Sequence, residues 1–198
     1  QNKWPGRSLL ARAGWRQLGK PFTVSEWNSG EPMIYGAGLV PTAATIAALQ
    51  DWDAVFFFQY DESNSAPFRD HFSGYFSFNG QPVNLAMLTA CANLFRRGDL
   101  PPLTAEFAVP LGEDLPHGSL ALTHRVGMRA GVDSLSDHSV PEQSLVTSPS
   151  DRVAWDTNRP GRERVVLNTP ATRGVWGRVA GQTFDLGGCS LEVGDCEN

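Results

Sequence analysis

Apolar positions in the first hundred or so residues alternate between two periods. In "RSLLARAGWRQLGKP", Leu10, Ala11, Gly14, Trp15 and Leu18 trace one helical face, and Gly19 with Pro21 predicts where the helix stops. "PFTVSEW" is short and rich in β-formers. After a Gly/Pro-containing loop, "PTAATIAALQDW" sets Pro41 near a helix start, with Ala43, Ile46 and Ala47 on one face. "AVFFFQY", Ala54 to Tyr60, is a continuous apolar run without alternation, the pattern of a parallel strand covered on both faces. It ends in "DESN". Beyond a loop rich in Phe, Ser and Gly, "VNLAMLTACANLFRRGD" places Leu85, Leu88, Ala92 and Phe95 in one stripe. Met87, Cys91 and Leu94 lie beside it, and Arg96 and Arg97 fall in the last turn. The predicted order is helix, strand, helix, strand, helix.

From about Leu103 the pattern changes. "LTAEFAVPL", "SLALTHRV", "SLVTSP", "RVAWDT", "RVVLNTP", "GVWGRVAG", "TFDLGG" and "SLEV" are short β-prone pieces separated by Gly, Pro, Asn and Asp. They predict a small antiparallel β-sandwich. The division falls near "RRGDLPPLT", giving residues 1–100 as an α/β unit and 101–198 as an all-β unit. A βαβα unit with parallel strands needs a helical crossover, and a complete (β/α)8 barrel needs about 250 residues. If the first unit belongs to such a barrel, it is the last βαβα portion, about a quarter of the whole.

Composition narrows the function classes. In 198 residues, 41% are hydrophobic and Gly and Pro number 20 and 14, which fits a globular, loop-rich protein. The formal net charge of -5, with no basic run interleaved with aromatics, argues against nucleic-acid and anionic-membrane partners. No stretch reaches the ~18 to 20 continuous apolar residues that span a bilayer. The opening "QNKWPGRSLL" has no initiator Met and no basic-then-apolar leader, so the expectation is a processed chain or a piece of a longer one. Localisation is left open, with a secreted or periplasmic parent favoured. Cys91 falls in a helical apolar pattern and is expected as a buried thiol, while Cys189 and Cys196 suit either a bridge or two thiols. His71, His117, His124 and His138 are scattered without metal-ligand spacing, and neither metal nor cofactor is expected.

In parallel α/β folds, functional groups gather at the carboxyl ends of strands. The first strand there delivers Ser25, Glu26, Trp27 and Asn28, and the next Gln59, Tyr60, Asp61 and Glu62. With adjacent strands about 4.8 Å apart, the two clusters are expected to share a cleft. A carboxylate so placed can attack an anomeric carbon while a second carboxyl group about 5 to 5.5 Å away protonates the leaving oxygen. Aromatic rings offer faces to sugars, and amides can bond hydroxyls. Without a GxSxG turn, Ser25 is a poor nucleophile. As a strand-end carboxylate, Glu26 equally suits a cap or an Arg partner. "DESN" is also a turn sequence, so Asp61 and Glu62 are read as lining the cleft. Asp51 and Asp53 lie at the opposite end of the strands and are read as structural. Trp155 and Trp176 are read as core.

"KPFTVSEWN", then "AALQDWDAVFFFQYDES", then a helix and a β-rich tail, together resemble the C-terminal part of retaining glycoside hydrolases of the large (β/α)8 clan. By that resemblance Glu26 matches the nucleophile at the end of barrel strand seven. "AVFFFQY" matches strand eight and "VNLAMLTACANLFRRG" the closing helix. "RVAWDTNRPGRERVVLNTPATRGVWG" is similar to the β-rich domains that follow such barrels. The resemblance implies an oligo- or polysaccharide substrate, with Trp27, Asn28, Tyr60, Asp61 and Glu62 as substrate-binding candidates. It also implies that the acid/base Glu, carried by strand four in that clan, lies with the rest of the parent barrel. The alternative is a non-catalytic carbohydrate- or protein-binding β-sandwich module with a vestigial barrel segment.

Overall fold

The computed structural model describes residues 6–30, 33, 36–62, 70–71, 74–133, 145–147, 152–156 and 164–195. Among these residues it is a mixed α/β structure with three α-helices and several small sheets, some parallel and some antiparallel. The predicted leading helix is shorter than its sequence pattern. Helix α1 spans Gly6–Arg12, and a single 3-10 turn, Ala13–Trp15, ends it. Leu9, Leu10, Ala13 and Gly14 are buried, whereas Trp15 is 57% exposed. Arg16 to Leu18 then run extended, because the Leu18 N–H donates to the Met128 carbonyl and the Met128 N–H to the Arg16 carbonyl. A pairing more than a hundred residues away thus overrides the helical period.

Strand β1 (Thr23–Trp27) and strand β2 (Ala54–Phe57) form a two-stranded parallel sheet, connected through helix α2 (Leu39–Leu49). Helix α2 is buried on almost every side, with only Ala44 half-exposed. Burying side chains such as Ile46 and Leu49 contributes about 1.5 to 3 kcal/mol each. Helix α3 (Pro82–Arg97) starts on a proline and ends at Gly98, whose φ of 67° forms the left-handed cap that glycine adopts at least cost. Its buried side chains are Asn84, Cys91 and Leu94, so the deepest line is the one beside the predicted stripe. Leu85, Leu88 and Phe95 pack against the core half-buried.

The expectation that everything after residue 101 is antiparallel needs correcting. Strand β3 (Glu106–Val109) pairs in parallel with strand β4 (Arg125–Met128), joined through a 3-10 segment, Gly118–Leu122. "SLALTH" is thus mainly a 3-10 crossover, which two parallel neighbours require. Antiparallel order follows in strands β5 (Leu145–Thr147), β6 (Val153–Asp156), β7 (Arg164–Asn168) and β8 (Arg173–Gly177), in that spatial order. A hairpin of β9 (Thr183–Asp185) and β10 (Ser190–Glu192) completes the described chain.

Buried residues from both sides of residue 100 belong to one hydrophobic cluster. Val153, Trp155, Val165, Leu167 and Trp176 alternate inward along β6 to β8, so both tryptophans are core. The Trp176 indole donates to Thr42 Oγ1 of α2 at 2.9 Å, which ties this sheet to the helix. Gln50, fully buried after α2, is a second tie. Its Nε2 donates to the carbonyls of Ala121 (2.6 Å) and His124 (2.7 Å), and its Oε1 accepts from the Val126 N–H (2.9 Å). Beside it, buried Arg16 donates to the Gln50 carbonyl, and half-buried Arg125 pairs with Asp51 and Glu106 at 3.1 Å each.

Candidate functional site

The two strand ends form the candidate site, and a β-bulge shapes it. Thr23 and Val24 face Ala54 and Val55, but Trp27 faces Phe57, so β1 carries one residue more than β2 in that interval. Along β1 the burial therefore runs exposed, half-buried, exposed, exposed, buried. Strict alternation would have hidden Glu26. The extra residue instead places Ser25 and Glu26 in solvent together and returns Trp27 to the core, the re-aiming that bulges produce beside functional sites. Glu26 makes no side-chain hydrogen bond or ion pair to any described residue. It neither caps a loop nor pairs with an arginine among them.

Among the described residues, one face of this sheet is covered and the other is not. Val55 and Phe57 pack toward the core, while Phe56 between them is 58% exposed. The sequence pattern of "AVFFFQY" predicts cover on both faces, and the described residues supply it on one. Strand β2 ends at Phe57, and the Phe58–Gln59 peptide is cis.

Past that peptide, residues 74–81 lie along the strand end as a strap. The Gln59 N–H donates to the Phe76 carbonyl (3.2 Å), the Phe78 N–H to the Gln59 carbonyl (3.0 Å) and the Asn79 N–H to the Tyr60 carbonyl (2.8 Å). Asn28 locks this arrangement to β1, because its Nδ2 donates to the carbonyls of both Phe58 and Phe76 and its Oδ1 accepts from the Ser29 N–H. Both amide hydrogens are thus committed to the main chain.

The other candidate residues separate by burial. Trp27 is 6% exposed, with no hydrogen-bond partner for its indole nitrogen, and turns no face to solvent. Tyr60 is 46% exposed. Asp61 is buried, and Asn79 Nδ2 donates to its Oδ2 at 3.4 Å. Glu62 is exposed, yet its carboxylate accepts the Phe76 N–H and its own N–H donates to Ser77 Oγ, which fastens the strap. The structure therefore gathers Asn28 and Glu62 around the same strap residues, and leaves Glu26 as a strand-end carboxylate with no side-chain partner among the described residues.

Sequence reasoning missed the strap, since "GYFSFNG" carries neither helical nor strand period. Its only signals are three aromatics between glycines. A Cβ on Gly30 would meet the Tyr75 ring and one on Gly74 the Glu62 carboxylate, so either substitution would make that exposed side chain swing aside.

An apolar groove of about 420 Å³ lies between α2, α3 and β2, lined by residues including Val40, Ala43, Phe57, Leu88 and Phe95. It opens on the helix-covered side of the sheet, away from Glu26. Cys91 lines it, and burial pushes that thiol up to about 11, so it stays protonated and unreactive near neutrality. Among the described residues no group of three His, Cys, Asp or Glu side chains can hold a metal ion, and no helix is long and apolar enough to cross a membrane. His138 and Cys196 lie outside the described residues. The chain matches no protein-family model, no curated protein and no solved structure.

Proposed function

We propose that this chain is part of a retaining glycoside hydrolase, in which β1 and β2 are the last two strands of a (β/α)8 barrel and Glu26 is the nucleophile. The observation that carries the reading is Glu26 itself: exposed, unpartnered among the described residues and placed by a bulge on the bare face of a parallel sheet. Parallel sheets are ordinarily covered on both faces, and a two-stranded sheet alone is marginal. The exposed Phe56 beside Glu26 supports further strands from the parent chain closing over that face. In this reading β5 to β10 form the β-sandwich that follows the barrel.

The reaction is double displacement. Glu26, ionised, attacks the anomeric carbon, and an acid/base carboxyl group from the rest of the barrel first protonates the leaving oxygen and then deprotonates water. Asn28 and Glu62 hold the strand end still, and Tyr60 borders the sugar. In the complete enzyme, Glu26→Gln is expected to lower kcat by a factor of about 10⁴ or more, the scale of losing a covalent nucleophile. Circular dichroism should not change, because the side chain is exposed. Turnover within about tenfold of wild type would remove the assignment.

A further inference from the structure

We propose that Asn28 is the positioning residue for Glu26: by clamping the end of β1 to Phe58 and Phe76, its amide sets where the carboxylate stands, and it holds no sugar itself. The role given to Glu26 rests on the glycosidase reading, whereas the clamp is a property of the chain. Ser25 and Glu26 lie in the bulge, facing Phe56 alone between the pairs Val24–Val55 and Trp27–Phe57. A bulge interrupts the ladder, so the residues within it are held chiefly from their two flanks. The flank before Glu26 is the regular parallel register of Thr23 and Val24. The flank after it differs, because β2 ends at Phe57.

Asn28 takes over where the ladder stops. The Trp27 carbonyl accepts from the Phe58 N–H at 3.0 Å, and Asn28 Nδ2 donates to the Phe58 carbonyl and, at 2.6 Å, to the Phe76 carbonyl. Phe76 is gripped from a second side as well. Its N–H donates to the Glu62 carboxylate, and its carbonyl also accepts from the Gln59 N–H at 3.2 Å. One amide, two positions beyond the carboxylate, thus joins the ends of β1 and β2 to the strap. With both N–H donors engaged and its oxygen accepting from the Ser29 N–H at 2.7 Å, it has little left for a sugar hydroxyl. Covalent attack needs the reacting atoms about 3 to 3.5 Å apart, and a displacement of about 1 Å costs roughly a hundredfold in rate. Loosening the only side-chain clamp described beside Glu26 would therefore act on the rate of attack more than on binding.

Kinetics of the complete enzyme and hydrogen exchange of the 198-residue chain test this together. Asn28→Ala should lower kcat about tenfold to a hundredfold with KM within about threefold, the split expected when attack geometry is lost and affinity is not. Asn28→Asp should be at least as slow, since it keeps an oxygen to accept from a sugar hydroxyl but cannot donate to the two carbonyls. In the isolated chain, Asn28→Ala should speed exchange of the Gln59 and Phe78 amides about tenfold or more, whereas Glu26→Gln should leave them at the wild-type rate. Glu62→Ala releases the strap from its exposed side, so it should speed the Phe76 amide and lower kcat by a smaller factor. Glu62→Gln still offers an acceptor and should restore both. If Asn28→Ala fails to fold, the absence of these Glu62 effects overturns the inference. It is overturned equally by unchanged Gln59 and Phe78 exchange in Asn28→Ala, by a raised KM at unchanged kcat, or by near-normal activity in Asn28→Asp. A fully active Glu26→Gln would remove the nucleophile and with it the role of the clamp, but the faster exchange would stand, which tells the two failures apart.

Discussion

Replacing Gln50 with leucine should be the most damaging single change to the fold for its size. The side chain is fully buried and bonds three main-chain groups of one distant segment: two carbonyls and the Val126 N–H. Leucine fits the volume but leaves all three without their partner. Stranding a buried polar group costs about 1 to 3 kcal/mol. The Ala121 carbonyl and the Val126 N–H lie in the fully buried part and the His124 carbonyl in a part-buried one. Allowing for the apolar gain of leucine, the expected loss is about 2 to 5 kcal/mol, a large share of the ~5 to 15 kcal/mol typical of a whole fold. Urea denaturation followed by far-ultraviolet circular dichroism measures it, as a lower midpoint at unchanged slope. Hydrogen exchange adds a local readout, since the Val126 amide should lose protection first. A loss below ~1 kcal/mol, or an unchanged Val126 exchange rate, would refute the reasoning.

Phe56→Ser should leave stability within about 0.5 kcal/mol and reduce self-association of the isolated chain in sedimentation velocity; a loss of about 3 kcal/mol or more would mean that the ring is covered after all. Cys91 should resist a thiol reagent at pH 8 until the protein unfolds, while exposed Cys189 reacts at once, as peptide mass mapping would show. Stability should fall on acidification in two stages. Burial lowers the His124 pKa below 6.5, so the unfolded chain takes up a proton there more readily, and stability is lost as pH drops through and below 6.5. Hydrogen bonding from Arg129 chiefly, with the charge of Arg125, lowers Glu106 below 4.5, so its contribution is present above that value and lost as pH falls through the depressed one. His124→Gln should flatten the first stage alone, and an unchanged slope between pH 7 and 5 in that variant would contradict it.

What could be read in the sequence was what local period determines. The parallel strands β1 and β2 and the helices α2 and α3 followed from apolar spacing, with Pro41 near the start of α2 and two arginines in the last turn of α3, and all eight short pieces beyond Leu103 contain or adjoin a described strand. What could not be read was fixed by distant partners. Arg16 to Leu18 carry a helical pattern but are extended because Met128 offers hydrogen bonds. The parallel pairing of β3 with β4 depends on a 3-10 crossover inside a segment of strand-like composition. At the candidate site, Glu26 was legible as a strand-end carboxylate, but its exposure depends on a bulge that only the register against β2 reveals. Asn28 looks like a sugar-binding amide, and its donors are engaged by carbonyls from two other segments. Tyr75 had no sequence signal beyond being aromatic.

The central claim is that Glu26 forms a covalent bond to sugar. Treating the complete enzyme with a 2-deoxy-2-fluoro glycoside, which slows release of the glycosyl group, and mapping the adduct by peptide mass spectrometry tests it directly. The account predicts one glycosyl adduct, on the peptide carrying Glu26 and absent from Glu26→Gln. An adduct on another carboxylate, with Glu26→Gln still labelled, would contradict it.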